Sequence, residues 1–298
     1  MSQDGRPGPA TEVFVAHRKL LFTVAYEILG SAADAEDVLQ ETWLRWADVD
    51  LATVRNQRAY LVRITARQAL GRLRTLRRRR ESYTGPWLPE PLLTAPDVAE
   101  DAALAESVSM AMLLVLEMLT PTERAVFVLR EVFDLPYGEI GEAVGKTPAA
   151  ARQIAHRARA RVAARRPRAA VSPAEARAAL AAFQYAVETG ELQGLFNLLA
   201  PDVVALSDGG GLVPSVPQPV AGADRVGRLL TGGLKTFAKG LTLEPAWVNG
   251  GPALLGRRHG QVDLVLAVRM EGGLVSEMYA VRNPEKLTWL TQETAVGR

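Results

Sequence analysis

YGEIGEAVGKTPAAARQIAHRARARV, residues 137–162, is the stretch on which the reading of this chain turns. Its first eight residues form a short amphipathic pattern that stops at Gly145, a residue suited to the left-handed turn that ends a helix. Thr147 then supplies an N-cap, and Pro148 fits a first helical turn, where a missing N–H is harmless. Beyond them Ala151, Ile154, Ala155, Ala158 and Val162 recur at helical spacing and define a stripe to be buried. Arg152, His156 and Arg159 share the opposite face. Helix, glycine turn and basic helix is the grammar of a helix-turn-helix, whose second helix enters the major groove of DNA. There arginine donors pair with guanine edges while other arginines hold phosphates. On spacing alone, His156 is either a base contact or a polar surface residue.

Working outward, Thr120, Pro121 and Glu123 make a capping box with a first-turn proline just ahead of the apolar run 126–132. Further upstream, Arg63, Arg67, Arg74 and Arg78 are spaced by four, seven and four positions and fall on one stripe of a helix. Val62, Ala66, Ala69, Leu73 and Leu76 form the adjoining apolar stripe. Ten arginines and no acid lie between positions 55 and 80, and eight lysines or arginines and no acid between 146 and 168. Such rails suit a phosphate backbone, where each neutralised phosphate releases counterions. A single rail could be a solvated face; two of them in one chain favour nucleic acid. Residues 27–50 are the reverse, with seven acids against Arg45 alone. Ser31 and Asp34 resemble a helix start, and Asp34, Asp37 and Glu41 then share one side with Trp43 and Trp46 close behind. That surface fits a basic, partly apolar protein partner, or again a solvated face.

Composition bounds the alternatives. A length of 298 residues implies two or three domains, and 48% hydrophobic with 23% charged residues is globular. The absence of cysteine removes disulfides, thiolate zinc sites and thiol nucleophiles, and only three histidines are present. No stretch is long and apolar enough to span a bilayer, and the amino end lacks a secretion signal, so a soluble cytoplasmic protein is expected, with no membrane partner, metal or cofactor. The expected organisation is a disordered leader (1–10), a helical domain (11–82), a proline-rich linker (83–106) built around Trp87, a helix-turn-helix domain (107–168) and an α+β domain (172–298). In the last, alternating Val/Leu segments predict strands near 203–206, 241–248, 262–268 and 274–281. The fold class is therefore multidomain: two all-α domains followed by an α+β domain.

At this point the residues resemble a known family. GSAADAEDVLQETWLRW (30–46) is similar to region two of the group IV, extracytoplasmic-function sigma factors of RNA polymerase. NQRAYLVRITARQALGRLR (56–74) resembles the helix of that region that opens and reads the −10 element, and residues 119–162 resemble region four, which reads the −35 element. The resemblance implies core polymerase at Asp34, Asp37 and Glu41. It implies −10 DNA at Arg55, Asn56, Arg63, Arg67, Arg74 and Arg78, and −35 DNA at Lys146, Thr147, Arg152, His156 and Arg159. Three further segments are similar to signatures of sigma factors fused to a SnoaL-like domain, the sigma-J-like type: Trp87-Leu88-Pro89-Glu90-Pro91, Asp208-Gly209-Gly210-Gly211 and Asn283-Pro284-Glu285-Lys286-Leu287. Leu212 stands where a lysine is expected and Glu285 where Asp is usual. This likeness implies an α+β cone that contacts the linker and the two DNA-binding domains and tunes their access to polymerase and promoter.

SnoaL-like cones resemble isomerases and cyclases that use carboxylates in an apolar cavity, and Asp202, Asp208, Asp224, Asp263 and His259 are the candidates here. No spacing pairs them as chemistry would require, and fold alone assigns no activity, so no catalytic residue is expected. A small-molecule ligand in the cone remains open as a third partner, beside core RNA polymerase and promoter DNA. Two rival readings are a helix-turn-helix repressor with a ligand-binding domain and an isomerase carrying a DNA-binding fusion.

Overall fold

The computed structural model describes residues 8–99, 101–165, 172–189, 191–237, 240–290 and 293–298. Along the chain run α1 (Pro9–Leu29), α2 (Ala32–Ala47), α3 (Gln57–Arg80), α4 (Ala102–Val108), α5 (Met110–Glu117), α6 (Pro121–Phe127), α7 (Tyr137–Val144), α8 (Pro148–Ala163), α9 (Pro173–Thr189) and α10 (Leu192–Leu198). There follow β1 (Leu199–Asp208), β2 (Val220–Ala221), α11 (Ala223–Phe237), β3 (Thr242–Val248), β4 (Gly251–Arg258), β5 (Gln261–Glu271), β6 (Leu274–Val281) and α12 (Pro284–Leu287). Two compact units divide the described residues: one within 1–79, 115–166 and 295–298, the other within 80–114 and 167–294. Of the expected leader, residues 1–7 lie outside the described residues. Pro9 and Ala10 already belong to α1, with the proline in the first turn.

The first unit is helical. α1 ends at Gly30 in the left-handed conformation (φ 69°), and the Ser31 hydroxyl accepts the Asp34 N–H at 3.1 Å to start α2, as the sequence suggests. On α3, Val62, Ala66, Ala69 and Leu73 are buried as expected, whereas Leu76 is only half-buried. Trp46 corrects the reading of α2. It is wholly buried and donates its indole N–H to the Ala10 carbonyl at 2.8 Å, so it belongs to the core and not to a docking face. Trp43 packs edge-on against Phe14 at 5.3 Å. The cause is periodicity: Leu39 and Thr42, which precede Trp46 by seven and four residues, are buried on the same side.

α6 carries the capping box complete, with the Thr120 hydroxyl and Glu123 carboxylate each satisfying the other's backbone N–H. Its last turn widens into a π-helical segment, Val128–Val132. Arg124 is 1% exposed and donates Nε–H to the Glu27 carbonyl of α1 at 2.9 Å and Nη1–H to Glu117. One buried guanidinium therefore ties region-two-like α1 to region-four-like α6.

The second unit is the α+β cone, with a six-stranded sheet in the order β2-β1-β6-β5-β4-β3 and α9, α10 and α11 packed with it. The four expected strands are present. Two further strands, β2 and β4, lie outside the expected segments: β2 is only two residues long, and β4 opens with Gly251-Pro252, which obscures its alternation. Asn249 (φ 55°) and Gly250 (φ 68°) form the two-residue turn that joins β3 to β4, both in the left-handed region that such turns demand.

Candidate functional site

On α3, Arg55 and Asn56 at its start and Arg67, Arg74 and Arg78 along it are exposed. Asn56 also has a structural duty: its Oδ1 accepts the Ala59 N–H at 3.0 Å and caps the helix. Arg63 lies over the Tyr60 ring at 4.8 Å and pairs with Glu142 of α7 at 2.5 Å. The acids of α2 are partly engaged. Arg72 reaches Asp34 at 2.7 Å, Asp37 at 2.5 Å and Glu41 at 4.0 Å, and Gln68 donates to Glu41 at 2.8 Å. Asp34 retains 17% side-chain exposure, against 52% for Asp37 and 48% for Glu41, so the last two are the accessible part of this acidic stripe.

The helix-turn-helix forms as read, except that Ile154, expected in the buried stripe, is only half-buried. Thr147 Oγ1 accepts the Ala150 N–H at 3.2 Å, Gly145 (φ 69°) closes α7, and Ala151, Ala155, Ala158 and Val162 are buried. Lys146, Thr147, Arg152, His156 and Arg159 are exposed. Arg152 covers the Tyr137 ring at 5.3 Å, and Arg159 pairs with Glu131 at 2.6 Å. Gly141 was missed. A Cβ there would meet the Lys146 carbonyl oxygen at 2.6 Å, so α7 and the turn meet only because this residue has no side chain. A glycine inside an otherwise amphipathic helix was its available signal.

In the second unit, the three motif segments converge on one buried ion pair. Asp208, wholly buried at the end of β1, accepts from the Tyr83 hydroxyl (2.6 Å), the Leu88 N–H (2.8 Å), the Gly210 N–H (3.0 Å) and the Lys286 ammonium (2.7 Å). Lys286 also donates to the Leu88 carbonyl at 2.5 Å and faces the Trp87 and Tyr83 rings at 4.4 and 4.8 Å. Burial pulls the lysine below its ordinary pKa, and Asp208 partly offsets that pull. Burial, reinforced by the hydrogen bond to Asp208, pushes the Tyr83 phenol up. Asn283 Nδ2 donates to the Tyr83 hydroxyl at 2.8 Å while its Oδ1 caps α12 at Glu285, with Pro284 in the first turn. Gly210 (φ 63°) and Gly211 (φ 73°) need the left-handed region, and a Cβ on Gly210 would lie 2.4 Å from Asn283 Nδ2. Gly209 is equally tight, 2.3 Å from the Val213 carbonyl. Leu88, Pro89, Pro91 and Leu287 are buried, Trp87 and Glu90 half-buried, and Glu285 exposed.

A second anchor lies four residues along the linker. Asn249 Oδ1 accepts the Leu92 N–H (3.0 Å), its backbone N–H reaches the Leu92 carbonyl (2.9 Å), and its Nδ2 donates to the Val108 carbonyl (2.8 Å). Sequence reasoning missed this residue, though the Asn-Gly hairpin signal was present. The linker therefore adds to the cone as an extended segment held at both ends, Leu88 and Leu92.

The candidate carboxylates do not gather. Asp202, Asp224 and His259 are exposed, Asp208 is committed to the linker, and only Asp263 lines the cone's cavity. Among the described residues, no group of three or more His, Cys, Asp or Glu is placed to hold a metal, and no helix is long and apolar enough to cross a membrane.

Comparison with known proteins decides the family. The Sigma-70 region 2 model matches residues 13–79 and the Sigma-70 region 4 model residues 109–162. The chain is similar to the ECF RNA polymerase sigma factor SigJ of Mycobacterium tuberculosis, with 36% identity over 289 residues covering 92% of each protein. The chain belongs to the ECF sigma factors of RNA polymerase. This ECF sigma factor is also 32% identical to a probable ECF RNA polymerase sigma factor, SigI, of the same organism, across 97% of this chain and 98% of that one. The crystal structure of the Mycobacterium tuberculosis ECF sigma factor SigJ matches with a TM-score of 0.76 and 33% identity, over 94% of this chain and 98% of the other. The likeness therefore extends through the cone. As a member of the family, this sigma factor directs promoter recognition and transcription initiation.

Proposed function

We propose a division of labour by residue. Asp37 and Glu41, with Asp34 behind them, meet core RNA polymerase. Arg67, Arg74 and Arg78, with Arg55, Asn56 and Arg63, hold the −10 element, while Arg152, His156 and Arg159, with Lys146 and Thr147, read the −35 element. The observation that carries this reading is the exposure of two arginine faces on separate helices, α3 and α8. Two of these arginines are already paired, Arg63 with Glu142 of the helix-turn-helix and Arg159 with Glu131. The two promoter elements are about 25 base pairs apart by their names, or roughly 85 Å of duplex at about 3.4 Å per step. Engaging both at once therefore requires the Arg63–Glu142 contact to open. An ion pair with 37% and 62% side-chain exposure opposes this little, by about 0–1 kcal/mol.

The cone is a regulatory module in this reading and not an enzyme. Its most buried carboxylate, Asp208, holds the linker between regions two and four, which limits how far those regions can part. A small molecule in the cone completes the set of partners, and the polymerase partner places the work in the cytoplasm. The test is run-off transcription by core polymerase on a matching promoter, with and without the protein. Promoter-specific transcript should require it; equal transcript from core alone would overturn the reading.

A further inference from the structure

The cone has a half-open cavity of about 300 Å³ between α11 and the sheet. Leu230, Leu243, Leu264 and Met278 give it apolar walls. That size falls at the lower end for small-molecule pockets, which span roughly 300–1,000 Å³ and pair apolar walls with a few placed polar groups. Here the charged groups are Asp263 and Arg282. Asp263 lies between Arg258 and Arg282 at 3.5 and 3.6 Å, too far for strong hydrogen bonds. One carboxylate set loosely between two guanidiniums makes this end of the cavity receptive to an anionic oxygen.

The same residues lead to the linker. Ser207 lines the cavity and Asp208 follows it; Arg282 lines the cavity and Asn283 follows it. The backbone N–H groups of Arg282 and Asn283 both donate to the Asp208 carbonyl, at 2.8 and 3.0 Å. Arg282 Nη1 donates to the Pro214 carbonyl at 2.8 Å, closing the loop that carries Gly209, Gly210 and Gly211 and that also lines the cavity at Pro214, Ser215 and Val216.

We propose that this cavity binds an apolar small molecule with an anionic end, held by Arg282, and that its occupancy tightens or loosens the grip of Asp208 and Lys286 on the linker. The second half rests on the regulatory reading of that grip. A molecule seated against Arg282 competes with Asp263 and the Pro214 carbonyl for the guanidinium and so shifts the glycine loop that Asn283 and Thr84 pack against.

The experiment uses the full chain and two probes that differ by one charge, 1-anilinonaphthalene-8-sulfonate and neutral N-phenyl-1-naphthylamine. Both should bind saturably. Leu230→Trp, or Leu264→Trp if the first does not fold, should weaken both at least tenfold by filling the cavity. Arg282→Met should weaken the sulfonate at least fivefold and the neutral probe less than twofold. Absence of saturable binding, or binding indifferent to the tryptophan variants, overturns the site; equal losses of the two probes in Arg282→Met overturn the anionic end. Hydrogen exchange across residues 83–91 reads the coupling, with at least a threefold change in protection expected at probe saturation. Binding without that change overturns the coupling alone. The grip itself is judged separately, by loss of the same protection in Asp208→Ala without probe.

Discussion

Removing Asp208 tests how the linker is held. Asp208→Ala deletes the acceptor for four donors and takes from the Lys286 ammonium its hydrogen-bonded carboxylate, leaving it the Leu88 carbonyl, two ring faces and the field of Glu90. Breaking a buried pair from one side costs about 3–5 kcal/mol. Lys286→Met removes the other partner but leaves Asp208 with the Tyr83 hydroxyl and the Leu88 and Gly210 N–H groups. Its cost should fall below that range, because three donors still satisfy the carboxylate. The order Asp208→Ala worse than Lys286→Met, with a double variant less harmful than the sum, is therefore expected from urea unfolding of the cone. pH supplies a sign. Burial already lowers the Lys286 pKa, and loss of Asp208 lowers it further, so the unfolded state binds the extra proton between that value and 10.5. The Asp208→Ala deficit should shrink as pH rises through that window. Exposed Asp202→Ala is the control, expected within about 0.5 kcal/mol of the parent. An Asp208→Ala no worse than this control would refute the reasoning.

Three other outcomes are expected. Gly141→Ala should weaken binding to the −35 element and destabilise the helix-turn-helix by about 1–3 kcal/mol through overpacking, while Gly138→Ala, with nothing within 4 Å of the new methyl, should be neutral or gain up to about 1 kcal/mol. In promoter binding by the assembled holoenzyme, Arg67→Ala and Arg78→Ala should each reduce the slope of log K against log salt by about 0.7–0.9, whereas Arg72→Ala should not, because its guanidinium serves Asp34 and Asp37. For Glu123, burial alone would raise the pKa, but the Thr120 N–H and hydroxyl, with Arg161 and Arg157, bring it below 4.5. A depressed carboxylate stabilises above 4.5 and loses that contribution as pH falls through its folded value, so the cost of Thr120→Ala, about 0.5–2 kcal/mol at pH 7, should shrink in acid without vanishing, because the Thr120 hydroxyl also accepts the Glu123 N–H, a bond that does not titrate.

What the sequence made legible was local. Thr120, Ser31 and Thr147 announce helix starts because a cap is written within three residues of its partner, and the stripe Ala151, Ala155, Ala158 is written in a 3.6-residue period. Neutralisation across helices is not written that way. The acid-free run 55–80 looked unopposed, yet Arg63 finds Glu142 from 79 positions away and Arg72 finds two acids on α2. Trp46 misled for a related reason: its neighbours in sequence are acidic, while its neighbours in space are the chain at Ala10 and Tyr60 of α3.

The grip on the linker sits at the far end of this scale. Tyr83, Asp208 and Asn283 meet across separations of 125 and 200 residues, and no periodicity relates them. The segments 87–91, 208–211 and 283–287 stood out only by resemblance, which implied that the cone contacts the linker but not which atoms meet, and Tyr83 lies outside all three. Physical chemistry explains why all three must be present together. A wholly buried aspartate needs several donors at once, the Gly210 turn can approach Asn283 only without a Cβ, and Lys286 is tolerated in the interior only opposite Asp208. Each motif supplies what another lacks, so a change in any one should loosen the linker through the same missing charge or contact. The cone is thus tied to the linker by an electrostatic dependence, and not only by the peptide that joins them.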